Sequence, residues 1–261
     1  MITGSLLILA SGGFLSGILA GLLGVGGGII SVPLLVTLGY TPVQAVATGT
    51  LGVTVISVSG SLQNRRMGYF DPKRVFLLGI PAMVTAQVGA YLASNIAPYL
   101  LLFVFGIFLL LNIYLLGLRK RLSVRTEKSK LPKFNPVLSR IGTGGAAGIF
   151  AGLLGGGGGA IMVPLQMLLL GESIKTAIQT SLGVIIGITV SACVVHAMEG
   201  NILLFQGMIL GVGGYLGAQV STRVLPKLPD NVVLTIFRAF VGTLSIYMFW
   251  QAWISYRGLI R

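Results

Sequence analysis

The chain has 261 residues, 54% of them hydrophobic and only 9% charged, with 18 Lys and Arg against 5 Asp and Glu for a formal charge of +13. A soluble domain carries charge on roughly 25% of its residues; with a mean hydropathy of +0.95, composition excludes a soluble globular protein and predicts a polytopic helical membrane protein. The long apolar runs do not alternate as the strands of a transmembrane barrel would.

Ten hydrophobic segments follow in chain order: 5–24, 27–39, 43–63, 73–94 and 97–118, then 137–155, 158–170, 176–196, 203–224 and 232–254. No basic region precedes the first, so Ser5–Gly24 reads as a membrane segment rather than a cleaved signal. Segments 27–39 and 158–170 would be roughly 20 Å long as helices, too short to span comfortably. Each follows a glycine tract and holds a proline near its start (Pro33, Pro164), the pattern of a half-helix or re-entrant arm. Cys193 is alone, so no intrachain disulfide forms, and its apolar neighbours suggest a packed thiol.

The two sets of five segments repeat one text. Ala20–Pro33 reads AGLLGVGGGIISVP and Ala151–Pro164 reads AGLLGGGGGAIMVP. Leu38-Gly39 matches Leu170-Gly171, Ala45–Thr48 matches Ala177–Thr180, and Gly89-Ala90 matches Gly217-Ala218. Five segments per half is an odd number, so the second half must insert upside down, giving an inverted-topology repeat. The expected organisation is a first membrane repeat over 1–118, a basic cytoplasmic linker over 119–136 and a second, inverted repeat over 137–261.

Charge placement sets the orientation. Eight of the eighteen Lys and Arg lie in 119–140, four flank the turn 64–74, and Lys175, Arg223 and Lys227 occupy two further loops. That puts fifteen on one face against Arg257 and Arg261 on the other, with Arg238 inside the last segment. By the positive-inside rule the linker is cytoplasmic and both termini face out, in the inner membrane of a prokaryote. Topology thus accounts for the positive charge, and nucleic acid is not an expected partner. The lipid bilayer and a small anionic substrate are, and the glycine-rich faces leave a homodimer open.

Gly24, Gly26, Gly27 and Gly28, with Gly155, Gly157, Gly158 and Gly159, are the first candidate site residues. Neither tract continues into the Gly-Lys-Ser/Thr of a nucleotide-binding loop. Close helix packing is one reading of them. Yet the glycines, five in a row over 155–159, cost a helix roughly 1 kcal/mol each, and an interruption would free backbone N–H groups that suit an anion. Thr48 and Thr50, with Thr180, Ser181 and Gln179 in the second half, either line the path or bond back to their own helices. His196, matching Asn64 in the repeat, is either a proton-sensitive gate or a structural side chain. Trp250, Trp253 and Tyr256 read as interfacial anchors. The five acids all fall at loops or segment ends, unlike the intramembrane carboxylates common in cation-coupled pumps. No metal-ligand spacing or nucleophile–base pair is present in the sequence, so neither a metal, a cofactor nor an enzymatic activity is expected.

The doubled glycine tracts, each followed by Ala-x-x-Thr-Gly/Ser, resemble the TauE/SafE sulfite exporter family over residues 10–255. The resemblance implies transport of small anions, chiefly sulfite and organosulfonates, across a bacterial or archaeal cytoplasmic membrane. It places Gly24–Gly28, Thr48, Gly155–Gly159, Thr180 and Ser181 at the site. Gly49 stands where a Ser is common in the family, so one hydroxyl is missing from the first half. The function expected is export of sulfite or a related sulfur oxyanion or sulfonate by alternating access. A passive anion channel, an uptake carrier for sulfonates and a non-transporting membrane assembly subunit stay open.

Overall fold

The computed structural model describes residues 2–125, 135–155 and 157–260, and these residues form an all-helical protein with no strand among them. In chain order the helices are α1 (Ile2–Leu23), α2 (Gly28–Thr37), α3 (Pro42–Arg66), α4 (Pro72–Asn95), α5 (Pro98–Arg125), α6 (Pro136–Leu154), α7 (Gly159–Leu169), α8 (Ile174–Met198), α9 (Leu204–Val224) and α10 (Asp230–Ile260), with a 3₁₀ turn at Leu225–Lys227. Helices α1, α3, α4, α6, α8 and α10 are long and apolar enough to cross a membrane. The ten expected segments correspond to the ten helices. Helix α5, however, runs seven residues into the expected linker, because Arg119–Arg125 contains no Gly or Pro to stop it. The rest of that linker, 126–134, and Gly156 of the second tract lie outside the described residues.

Local sequence sets the helix starts. Thr41 and Gln44 form a reciprocal capping box at α3, with Gln44 N–H donating to the Thr41 hydroxyl (3.3 Å) and Pro42 at the first helical position. Ser173 caps α8 at the equivalent place, accepting from Thr176 N–H at 3.2 Å. Asp71 caps α4 and Asn135 caps α6, each followed by a proline. Helices α2 and α7 have 10 and 11 residues, about 15 Å of rise, which is half a membrane.

Small residues let the helices touch backbone to backbone. A Cβ placed on Gly13, Gly17, Gly213 or Gly217 would strike main-chain oxygens across the α1–α9 contact. Gly144, Gly148, Gly152 and Gly89 do the same between α6 and α4. Contacts advance in step along both partners, Gly13 to Leu210 and Gly17 to Gly214, Gly144 to Leu78 and Gly148 to Ala82, so each pair is parallel. Helix α3 runs parallel to α9, with Gly52 against Leu210 and the Ser59 hydroxyl donating to Tyr215 O at 2.8 Å. Helix α8 runs parallel to α4, with Gly183 against Val75 and the Ser191 hydroxyl donating to Met83 O at 2.8 Å. Two groups result: α1, α3 and α9 in one direction, and α6, α8 and α4 in the other.

The groups meet along α3 and α8, which are antiparallel. Thr54 Oγ1 lies 3.9 Å from Cys193 Sγ, while Gly60, further along α3, sits against Leu182, further back along α8. Outward faces are apolar, as Phe76, Ile80, Val84 and Val88 on α4 and Phe205, Val212, Leu216 and Val220 on α9 show. Helices α5 and α10 pack mainly on each other. Tyr99 at the start of α5 meets Tyr256 near the end of α10 at 5.5 Å, and the Arg257 guanidinium sits 4.9 Å over the Trp253 ring.

Candidate functional site

The two glycine tracts meet at the junction of the two groups. Helix α1 ends at Leu23 and α6 at Leu154; Gly24 (φ +67°) and Gly155 (φ +64°) then turn the chain through the left-handed region. Gly27 (φ +84°) and Gly158 (φ +71°) occupy the N-cap positions of α2 and α7 with the same handedness. L-residues with a side chain rarely adopt that conformation, which is why these interruptions are written in glycine. The packing is reciprocal: Gly24 rests on Ile178 of α8, and Gly155 rests on Val46 of α3, its repeat counterpart. A Cβ on Gly159 would collide with the Gly24 carbonyl oxygen, and one on Gly157 would lie 3.4 Å from Gly26 Cα.

Helix α7 therefore begins on the first tract, two to four residues before α2 starts, and the first turn of each half-helix carries N–H groups with no intrahelical acceptor. All five residues of Gly24–Gly28 are buried, as are Gly155 and Gly157–Gly159. The first tract is fastened by hydroxyls: Ser16 and Ser31 both donate to Gly27 O, and their oxygens lie 3.0 Å apart. The second has Ala147 and Met162 at the matching positions and is held by apolar packing.

The candidate hydroxyls divide by what they bond. Ser181 Oγ donates to Gly24 O at 2.8 Å and so ties α8 to the first tract across the halves. Thr48 Oγ1 accepts from Leu203 N–H at 3.1 Å, capping the start of α9. Thr50 bonds back to Val46 O at 2.7 Å, a bond internal to its own helix. Thr180 and Gln179 are 6% and 7% exposed and make no side-chain hydrogen bond among the described residues. Thr180 and Gln179 thus keep side-chain donors that no protein group takes among the described residues, and so does Thr48, whose hydroxyl only accepts.

Several polar groups outside the sequence-based candidates are buried without a partner among the described residues: Ser57 Oγ, Ser61 Oγ, both amide atoms of Asn64, Gln63 Oε1, and Gln166 Oε1 on α7. Each such group costs about 1–3 kcal/mol unless water or a ligand satisfies it. Ser57, Ser61 and Asn64 are spaced by four and three residues, a spacing legible in sequence as one helix face. His196 is fully buried near the end of α8, its ring against the Gly152 backbone, and neither ring nitrogen has a hydrogen bond of good geometry among the described residues.

A charged layer borders the site on the face where α3 ends and α8 begins. Arg74 bridges Asp71 (2.9 Å) and Glu172 (3.6 Å), while Lys175 reaches Asp230 (3.5 Å) and donates to Pro226 O (3.2 Å). Burial pushes the Glu172 carboxyl above the ordinary carboxylate range; Arg74 and Arg140 pull it back, and Asp71 adds to the rise. A carboxyl with a raised folded-state value binds extra protons in the folded protein, so it costs stability as pH rises through that window and not below it. The bridge to half-exposed Arg74 offsets little of this, on the order of 0–1 kcal/mol. Glu172→Gln should therefore hold or raise the neutral-pH unfolding temperature and flatten its decline just above the ordinary carboxylate range. A lower unfolding temperature at neutral pH would show that the bridge outweighs burial.

Six helices long and apolar enough to cross a membrane, with two half-helices between them at the joined glycine tracts, make this a multi-pass membrane protein. The Sulfite exporter TauE/SafE family profile matches residues 9–248, and the chain belongs to that family. It is 26% identical to the probable membrane transporter protein YunE of Bacillus subtilis (strain 168), across 93% of this chain and 98% of that one. It is 28% identical to the probable membrane transporter protein YdhB of the same organism, across 90% and 97%. An archaeal relative, the probable membrane transporter protein MJ0441 of Methanocaldococcus jannaschii, is 25% identical across 90% and 92%.

Proposed function

We propose that the protein is a secondary carrier that exports sulfite, or a related sulfur oxyanion or organosulfonate, across the inner membrane of a prokaryote. The observation that carries this reading is the contact of the two glycine tracts, Gly159 against Gly24 and Gly157 against Gly26, out of which α2 and α7 begin. A small anion held there would receive first-turn N–H groups and the positive ends of two helix dipoles, so no buried cation is required. Thr180 and Gln179 would add side-chain donors, and Ser181, by donating to the Gly24 carbonyl that lies against Gly159, would weaken that oxygen's repulsion of the anion.

Opposed directions of α3 and α8 support an inverted-topology repeat, because these two helices match in sequence. The moving parts in this mechanism are the two three-helix groups, rocking about the glycine contact so that the site opens to one face at a time. Basic residues put the 119–140 stretch in the cytoplasm and both termini outside. His196 is then the gate side chain at the outer end of α8, with Glu199 the charged group beside it.

The test is flux of labelled sulfite into proteoliposomes, competed with sulfate, sulfoacetate and thiosulfate, with and without a pH gradient. The expected result is saturable sulfite flux with strong competition by one sulfur anion. Absence of flux for every anion, from folded protein, would overturn the assignment; conduction far above a turnover cycle would make it a channel. A pH-gradient dependence that disappears in His196→Gln would assign proton sensitivity to that ring, and one that survives would leave it a packing residue.

A further inference from the structure

Three side chains on α3 have no task in the fold. Ser57 and Asn64 are fully buried and Ser61 is 6% exposed, yet their polar atoms bond nothing among the described residues. A serine inside a helix usually bonds back to the carbonyl four residues earlier, as Thr50 and Thr54 do on the same helix. Ser59, on the far side, is fully used: it donates to Tyr215 O and accepts from Gln219 Nε2 at 3.1 Å.

The face they share looks at α8. It is flanked by Thr54, whose hydroxyl lies 3.9 Å from Cys193, and by Gly60, which sits against Leu182, two residues past Thr180. It thus lies on the junction between the two helix groups and runs to Arg65 and Arg66, both exposed. Neither α3 nor α8 contains an acidic residue. In the repeat register the matching α8 positions are Thr189, Cys193 and His196; Thr189 bonds back to Ile185 O at 2.8 Å. His196, like Asn64, lacks a hydrogen bond of good geometry among the described residues, so it is the unpaired hydroxyls at the first two positions that belong to one half alone.

We propose that Ser57, Ser61 and Asn64 form an anion-binding wall of the pathway on the basic side, separate from the glycine contact. It would take a small oxyanion through hydroxyl and amide donors when the groups part along α3 and α8. This inference rests on the transport reading above. Buried polar groups in native proteins are paired, and the open state supplies the partners that the closed state lacks.

Two measurements test it. The first is Ser61→Ala. Deleting an unpaired buried hydroxyl leaves the unfolding temperature unchanged or raises it, whereas loss of a substrate donor raises the KM for sulfite about tenfold. A lower unfolding temperature with unchanged KM would make the hydroxyl structural and overturn the proposal. The second places cysteine singly at 57, 61 and 64 in a Cys193→Ala background and exposes oriented vesicles to an anionic maleimide. Its thioether product resists cleavage by sulfite, so flux can be measured after washing. Modification from the side bearing Arg65 and Arg66, with flux falling more than tenfold, is expected. Ser245→Cys should stay unmodified, since Ser245 is buried between α5 and α10 and donates to Gly106 O at 3.1 Å. No modification at any of the three sites, in protein that still carries sulfite, would remove the wall and leave the transport reading standing. If the Cys193→Ala parent carries no anion while the three sites are modified from the basic side, the face is a water-lined wall and the sulfite assignment falls.

Discussion

Gly159→Ala is expected to abolish sulfite flux and to destabilise the protein by about 3 kcal/mol, at the upper end of the cost of overpacking a well-filled site. Residue 159 is helical and has no positive φ, so conformational strain is not the cause. The added methyl would strike the Gly24 carbonyl oxygen, and the neighbouring Ile185 Cδ1 would stand 2.9 Å from it. Backbone cannot swing aside as a flexible side chain can, so the two tracts must separate. Separation draws α7 off the first tract and breaks the Ser181 bond to Gly24 O.

Gly142→Ala is the matched control. That glycine is also helical, is exposed, and has nothing within 4 Å of its prospective Cβ. Alanine there gains up to about 1 kcal/mol of helix propensity, so stability should hold or rise and flux should persist. Thermal unfolding of the two purified variants in detergent, beside proteoliposome flux, separates the cases. Wild-type flux in Gly159→Ala would mean that the tract contact is packing without function.

The ten segments were legible in sequence because hydrophobic length, glycine interruptions and caps such as Thr41–Gln44 and Asp71 act locally. Helix α5 ran past its expected end because the sequence cue was charge, which moves a segment out of lipid but does not stop a helix. The meeting of the glycine tracts was foreseeable from their duplication. The partners of Thr48 and Ser181 were not, since they depend on α9 approaching α3 and on Gly24 lying against α8. The same limit hid the α3 face. Its polar spacing stands in the sequence, but its lack of partners becomes visible once α8 is in place.

Thr48 and Thr180 occupy the same place in the two halves, yet substituting each by valine should do different things. Valine keeps the shape and deletes the hydroxyl. At Thr48 this removes the acceptor for Leu203 N–H at the part-buried start of α9, a loss of about 1 kcal/mol typical of a helix cap. The unfolding temperature should fall, with little change in KM. At Thr180 no protein bond is lost among the described residues, so stability should hold. The KM for sulfite should rise about tenfold, the worth of one hydrogen bond to a charged ligand. An equal rise in KM for both variants would place both hydroxyls on the anion and restore a symmetric site. The asymmetric result would mean that the halves have divided the work: the first threonine fixes α9 in the group that carries the α3 face, and the second faces the substrate.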